Sequence, residues 1–204
     1  MTWSGEKTLQ NEADLDLELP PATCGTGSDA AVRLTYRLDD GPELVSSTTA
    51  TDRYGAIALF LDRDCAAERL AQAADLVVGE HRVVGEGRAS VFELPVTLRP
   101  TGARDDVAFV GFGDTVLFQA VGDTPVFPTA APVALIGERP VELLLRLVPG
   151  RCDPHALAED KVGTLIFVHV TGPDLPEAAH SYLPISDEAR GDLRDFFTSH
   201  CGFG

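Results

Sequence analysis

Phe92-Glu93-Leu94-Pro95-Val96-Thr97-Leu98-Arg99-Pro100 and Val141-Glu142-Leu143-Leu144-Leu145-Arg146-Leu147-Val148-Pro149 are one pattern written twice, at a constant offset of 49 residues. The match continues through residues 92–122 and 141–171, aligning Glu93 with Glu142, Leu94 with Leu143, Leu98 with Leu147, Pro100 with Pro149, Thr115 with Thr164 and Phe118 with Phe167. A looser third copy opens the chain, where Leu17, Leu19, Pro21 and Cys24 correspond to Leu145, Leu147, Pro149 and Cys152. Self-similarity at fixed spacing marks a building unit, and a unit of strand, proline-containing turn and strand points to a β architecture.

Other segments carry the same signal. Leu15, Leu17 and Leu19 alternate with Asp14, Asp16 and Glu18, and Val32, Leu34, Tyr36 and Leu38 alternate with Arg33, Thr35 and Arg37. Both patterns describe a strand with one wet face. Asp39-Asp40-Gly41-Pro42 is a turn, and further strands are expected at 57–61, 91–98, 115–121, 141–148, 164–171 and 182–185. Two helices break the pattern. Asp64 is placed to cap residues 66–78, with Leu70, Ala73, Ala74 and Val77 on one face; Ser186 is placed to cap 187–200, with Ala189, Leu193, Phe196 and Phe197 inward and Gly202 as the stop.

The expected fold is therefore mostly β, with two immunoglobulin-like or Greek-key β-sandwich domains, each carrying one packed helix. The first spans 8–84 with helix 66–78 and the second 85–204 with helix 187–200, and the Pro-rich segment 122–132 is the alternative break. The tryptophan that fills an immunoglobulin core is missing, because the single tryptophan is Trp3.

Charge narrows the classes of partner. The chain has 32 acidic and 16 basic residues, a formal charge of −16. That field repels nucleic acid and anionic lipid, which are bound through Lys and Arg, and suits a basic partner or a divalent cation. Acidity also serves plain solubility. No apolar run approaches the roughly 18 residues that span a bilayer. Residues 1–10 lack the basic and apolar regions of a secretory signal, a start compatible with a targeting or lipid-anchoring segment having been removed.

Cys24, Cys65, Cys152 and Cys201 allow three pairings. Loops of similar size result if Cys24 joins Cys65 and Cys152 joins Cys201, each bridge adding about 3–4 kcal/mol on the chain-entropy estimate and implying an oxidising compartment. Four reduced, buried thiols are the alternative.

Residues 151–164, Arg-Cys-Asp-Pro-His-Ala-Leu-Ala-Glu-Asp-Lys-Val-Gly-Thr, together with Tyr182-Leu183-Pro184 ahead of a helix ending in Cys201-Gly202, resemble an uncharacterised family of secreted or lipid-anchored actinobacterial proteins. The resemblance covers the last third of the chain and implies an extracytoplasmic location. It brings no assigned activity and no functional residues.

The same segment holds the sharpest chemical pattern. Cys152-x-x-His155 and His200-Cys201 would meet where the two cysteines meet, and zinc or copper accepts such a ligand set. A disulfide would consume both thiolates, leaving His155 and His200 as ligands for copper beside an intact bridge. Asp153, Glu159 and Asp160 read first as turn and capping carboxylates, and as an acid/base pair only inside a pocket. His169 reads as a core or rim strand residue, and His81 and His180 as loop residues.

Enzyme signatures fail by their frames. Gly25-Thr26-Gly27-Ser28 is not a nucleophile elbow, and Gly85-Glu86-Gly87 and Gly111-Phe112-Gly113 lack the third glycine of a dinucleotide loop. One tryptophan and three tyrosines make poor stacking platforms for sugars or bases. The function expected is a non-catalytic, extracytoplasmic binding or interaction protein of the cell envelope, its partner an envelope protein or a small solute. Metal binding or delivery by the Cys/His cluster, with zinc or copper, is the first alternative; a hydrolase with an unrecognised site is the second.

Overall fold

The computed structural model describes residues 22–158 and 160–203. It is mostly β, with three antiparallel sheets, and divides into two units, residues 1–64 and 65–204. Leu15, Leu17, Leu19 and Pro21, which carry the first strand and the third repeat copy, lie outside the described residues.

Within the first unit, β1 (Ala30–Arg37) and β2 (Glu43–Ala50) form an antiparallel hairpin across the expected turn. Gly41 N–H donates to the Leu38 carbonyl at 3.0 Å, and Asp39 takes the left-handed conformation at φ 51°. β2 was not legible: Ser46, Ser47, Thr48 and Thr49 offer no apolar alternation, and pairing with β1 sets their register.

Residues 57–61 are helical, not a strand. Helix α1 runs Ala56–Ala73, so it starts ten residues before the expected 66 and ends five before the expected 78. The Asp52 carboxylate accepts from Ala58 N–H at 2.8 Å, and backbone N–H groups at Ala58, Ile57 and Ala56 hold its pKa below the usual carboxylate range. An anion over those orphan donors starts a helix, and the alanine-rich run continues it. Asp64, the expected cap, lies in mid-helix.

The second unit contains the main core. β3 (Ala74–Val78), β4 (Arg82–Val84), β5 (Val91–Pro100), β7 (Phe118–Ala120) and β9 (Val141–Pro149) form one sheet, with β5 paired to β3, β4 and β9. β11 (His180–Tyr182), β10 (Phe167–Thr171), β6 (Ala108–Gly113) and β8 (Val133–Ala134) form the other, in that order. Residues 74–78 leave the helical pattern because Leu76 and Val78 pair with Leu98 and Val96, a tertiary contact that outweighs local propensity. A domain boundary at 84/85 would cut β3 and β4 from β5, so the division falls at 64/65.

β5 and β9, the two repeat copies, are adjacent antiparallel partners with Leu94 opposite Leu145 and Leu98 opposite Val141, so the repeat places two neighbouring strands in one sheet.

Inward residues of both sheets, Phe92, Leu94, Leu98, Phe112, Phe118, Leu145, Val168 and Val170 among them, belong to a single buried cluster. Helix α3 (Asp187–Cys201) adds Leu193, Phe196 and Phe197 to it. Both of its ends match the sequence reading. Ser186 Oγ accepts from Ala189 N–H at 3.1 Å, and Gly202 closes the helix at φ 74°. Cys152 is bonded to Cys201, as expected, and Cys24 and Cys65 are each held in a disulfide.

The Cys152–Cys201 bridge closes a separation of 49 residues. Replacing both cysteines by alanine should lower unfolding stability by about 4 kcal/mol on the loop-entropy estimate. Urea unfolding, with Cys24 and Cys65 kept oxidised, checks this; an unchanged midpoint would refute it.

Candidate functional site

The expected Cys/His cluster comes together only in part. Short helix α2 (Pro154–Ala158) follows Cys152 and carries His155 exposed, its backbone N–H donating to Asp153 Oδ1 at 2.9 Å. His200 lies within 3.1 Å of both the Ser90 carbonyl and Ser90 Oγ through Nδ1. A carbonyl only accepts, so Nδ1 bears the proton. The two sulfurs are bonded to each other and offer no thiolate. Among the described residues no group of three or more His, Cys, Asp or Glu converges as a metal site would. Asp153 and Asp160 do turn chemistry, as read from the sequence: Asp160 Oδ1 accepts from the N–H groups of Val162 and Gly163. Glu159 lies outside the described residues.

Two other places in the second unit gather chemistry. The first is a cleft of about 450 Å³ between the end of β3 and the start of α3, lined by Val78, Gly79, Glu80, His81, Ser186, Glu188, Ala189 and Asp192. His81 is fixed from two sides. Its ring stacks on Phe92 at 4.7 Å and 9°, and its Nε2 lies 3.5 Å from Asp192 Oδ2. Glu80 and Glu188 are exposed beside this pair. Three carboxylates and one imidazole therefore face a single open cleft.

The second is a tile of rings on the outer face of the smaller sheet. Ile166, Val168 and Val170 are fully buried, so the alternation of β10 turns Phe167 and His169 outward. β11 places Tyr182 opposite Phe167 and His180 opposite His169. Ring centroids lie 5.6 Å apart in the Phe167–Tyr182 pair and 5.2 Å apart in the His169–His180 pair. Phe127, preceding a cis peptide bond to Pro128 in the Pro-rich loop, stacks on His169 at 4.1 Å and 9°. Glycine makes room for this. A Cβ at Gly113 would lie 2.8 Å from His169 Nε2 and 3.0 Å from Phe167 Cβ, and one at Gly111, whose φ is 135°, would lie 2.6 Å from Phe127 N.

His169 is 8% exposed. Burial, reinforced by His180, lowers its pKa to about 4. Its Nδ1 is enclosed and makes no hydrogen bond of ordinary geometry among the described residues. On the larger sheet, Glu93 is held between Arg82, at 2.7 Å, and Arg146, at 2.9 Å, from the two flanking strands. Hydrogen bonds from Arg146 first and Arg82 second keep its carboxyl below the usual carboxylate range.

Sequence reasoning missed both places. His81 and His180 were assigned to loops, and Phe127 to a Pro-rich connection. A partial signal existed: Gly172-Pro173-Asp174 is turn chemistry between two strands of one hairpin, but the register that sets His169 against His180 depends on the whole loop and is not written in that tripeptide. For the cleft, no local pattern joins Glu80 to Asp192.

Comparison with known proteins adds no likeness. No family model matches the chain, and no curated protein or solved structure matches it.

His169 binds a proton less readily when folded, at about 4, than when unfolded, near 6.5. Its contribution to stability is therefore full above about pH 6.5 and is lost as pH falls toward about 4, on the order of 2 kcal/mol after allowance for water reaching the ring edge. His169→Gln should flatten this part of a stability-against-pH curve measured by urea unfolding; an identical slope would contradict the assignment. Gly113→Ala should destabilise by about 1–3 kcal/mol, because strand and rings must shift to admit the methyl. Thermal unfolding of that variant at neutral pH measures the effect.

Proposed function

We propose that this chain is an extracytoplasmic binding protein of the cell envelope, without catalysis of its own, that takes the cationic group of a small solute or a basic side chain of a partner protein in the Glu80–His81–Glu188–Asp192 cleft. The cleft is the observation that carries this reading: it is concave, large enough for an amine-bearing group, and walled by three carboxylates in a chain of net charge −16. An acidic wall attracts cations at long range and penalises anions that enter.

Location rests on different features. Two disulfides fit an oxidising compartment, and no helix among the described residues is long and apolar enough to cross a membrane. The likeness of residues 151–164 to secreted or lipid-anchored actinobacterial proteins agrees with that placement and belongs to the same proposal. Metal delivery through Cys152, His155, His200 and Cys201 is the weaker reading, because its sulfurs are oxidised and His200 is committed to Ser90.

Titration calorimetry with spermidine, lysine amide and a lysine-rich peptide, against glutamate as an anionic control, tests the proposal. Binding of a cationic probe should weaken about tenfold in Asp192→Asn, equivalent to about 1.4 kcal/mol, and fade with added salt. Affinity unaffected by Asp192→Asn together with Glu188→Gln, or absence of binding by every cation, would overturn it.

A further inference from the structure

Two imidazoles on the outer face of the smaller sheet are placed as ligands are placed, independently of the cleft. Val170 N–H donates to the Ala179 carbonyl at 3.0 Å, and Leu183 N–H donates to the Ile166 carbonyl at 2.9 Å. Those bonds fix the alternation of the β10–β11 ladder, so 169 and 180 form a non-hydrogen-bonded pair, the position at which facing side chains approach most closely. Their ring centroids lie 5.2 Å apart with the planes tilted by 49°, a spacing that two rings sharing one ion can adopt.

The protonation pattern points the same way. His180 Nδ1 lies 3.1 Å from the Ala178 carbonyl. Because a carbonyl accepts only, Nδ1 carries the proton and Nε2 carries the lone pair, the orientation that a supporting carbonyl imposes on metal-binding histidines. On His169 the enclosed Nδ1 makes no hydrogen bond of ordinary geometry among the described residues, within a ring more than nine-tenths buried whose nearest backbone acceptor is at Ala178. A buried polar atom left unpaired is costly, and a ligated ion would satisfy it. Phe127 stacked on His169 and Phe167 edge-on to His180 at 4.6 Å hold the rings against rotation.

We propose that His169 and His180 form a two-imidazole site for a divalent first-row transition ion, with copper(II) held most tightly and water completing its coordination. Imidazole suits copper and zinc alike, and copper(II) stands highest in the affinity order of divalent ions for such donors. An open pair with no third ligand among the described residues also departs from the closed four-ligand sets of structural zinc. These are different residues from the Cys152, His155, His200 and Cys201 set suggested by the sequence.

The full oxidised chain titrated with copper(II) chloride in a non-chelating buffer at pH 7.4, by calorimetry and electron paramagnetic resonance, decides the matter. One equivalent should bind, with nitrogen couplings from two imidazoles. Affinity should drop at least about tenfold in His180→Ala and be unchanged in His155→Ala and His200→Ala. His180 is half-exposed on a strand edge, so that variant reads the site even where His169→Ala fails to fold. No binding above the buffer control, binding indifferent to His180→Ala, or loss only in His155→Ala or His200→Ala would each overturn the proposal.

Discussion

The inward face of β5 is the constraint on which the second unit depends. Phe92, Leu94, Val96 and Leu98 are each no more than 1% exposed. Burying each is worth about 1.5–3 kcal/mol relative to leaving it in water. To dry that face, the chain must bring β3 and β4 to one edge of the strand and β9 to the other, then cover the apolar surface. The smaller sheet and α3 supply the cover, through Phe112, Val168, Phe196 and Phe197 in the same buried cluster. A strand paired on both sides along its length also tolerates little slip, because a shift of one residue would turn Phe92 and Leu94 outward and Glu93 into the core.

That alternation explains why Glu93 can be 6% exposed and still charged. It lies on the opposite face from Phe92, where its register partners are Arg82 and Arg146, so strand pairing itself delivers both guanidinium groups to one carboxylate. Chemistry elsewhere sits where the core runs out. The acidic cleft opens at the end of β3, where His81 lies flat on Phe92 and α3 begins. The ring tile covers the face of β10 turned away from the core, on a floor flattened by Gly111 and Gly113.

Much of the β framework was legible. Period-two alternation located β1, β5 and β9, because a strand with one buried face must write that face into every second residue. Ser186 and Gly202 located α3, since caps act through local backbone groups. Residues 57–61 show the limit. Five apolar residues fit a strand or a buried helix equally, and the carboxylate of Asp52 decided for α1. Residues 74–78 show the opposite error: a helical pattern was extended into β3, whose state depends on β5, some twenty residues away.

By itself the sequence determined the class of fold, the ends of α3, the turn at 39–42 and an acidic surface. Each of these follows from neighbours in sequence or from composition. Tertiary structure alone decided that the two repeat copies lie side by side in one sheet, that β3 and β4 belong with β5, and which imidazoles face one another. It also joined Glu80 and His81 to Asp192, residues separated by more than a hundred positions. The reason is that periodicity specifies which face of an element is buried, whereas the identity of the surface it is buried against depends on long-range pairing that no local pattern records.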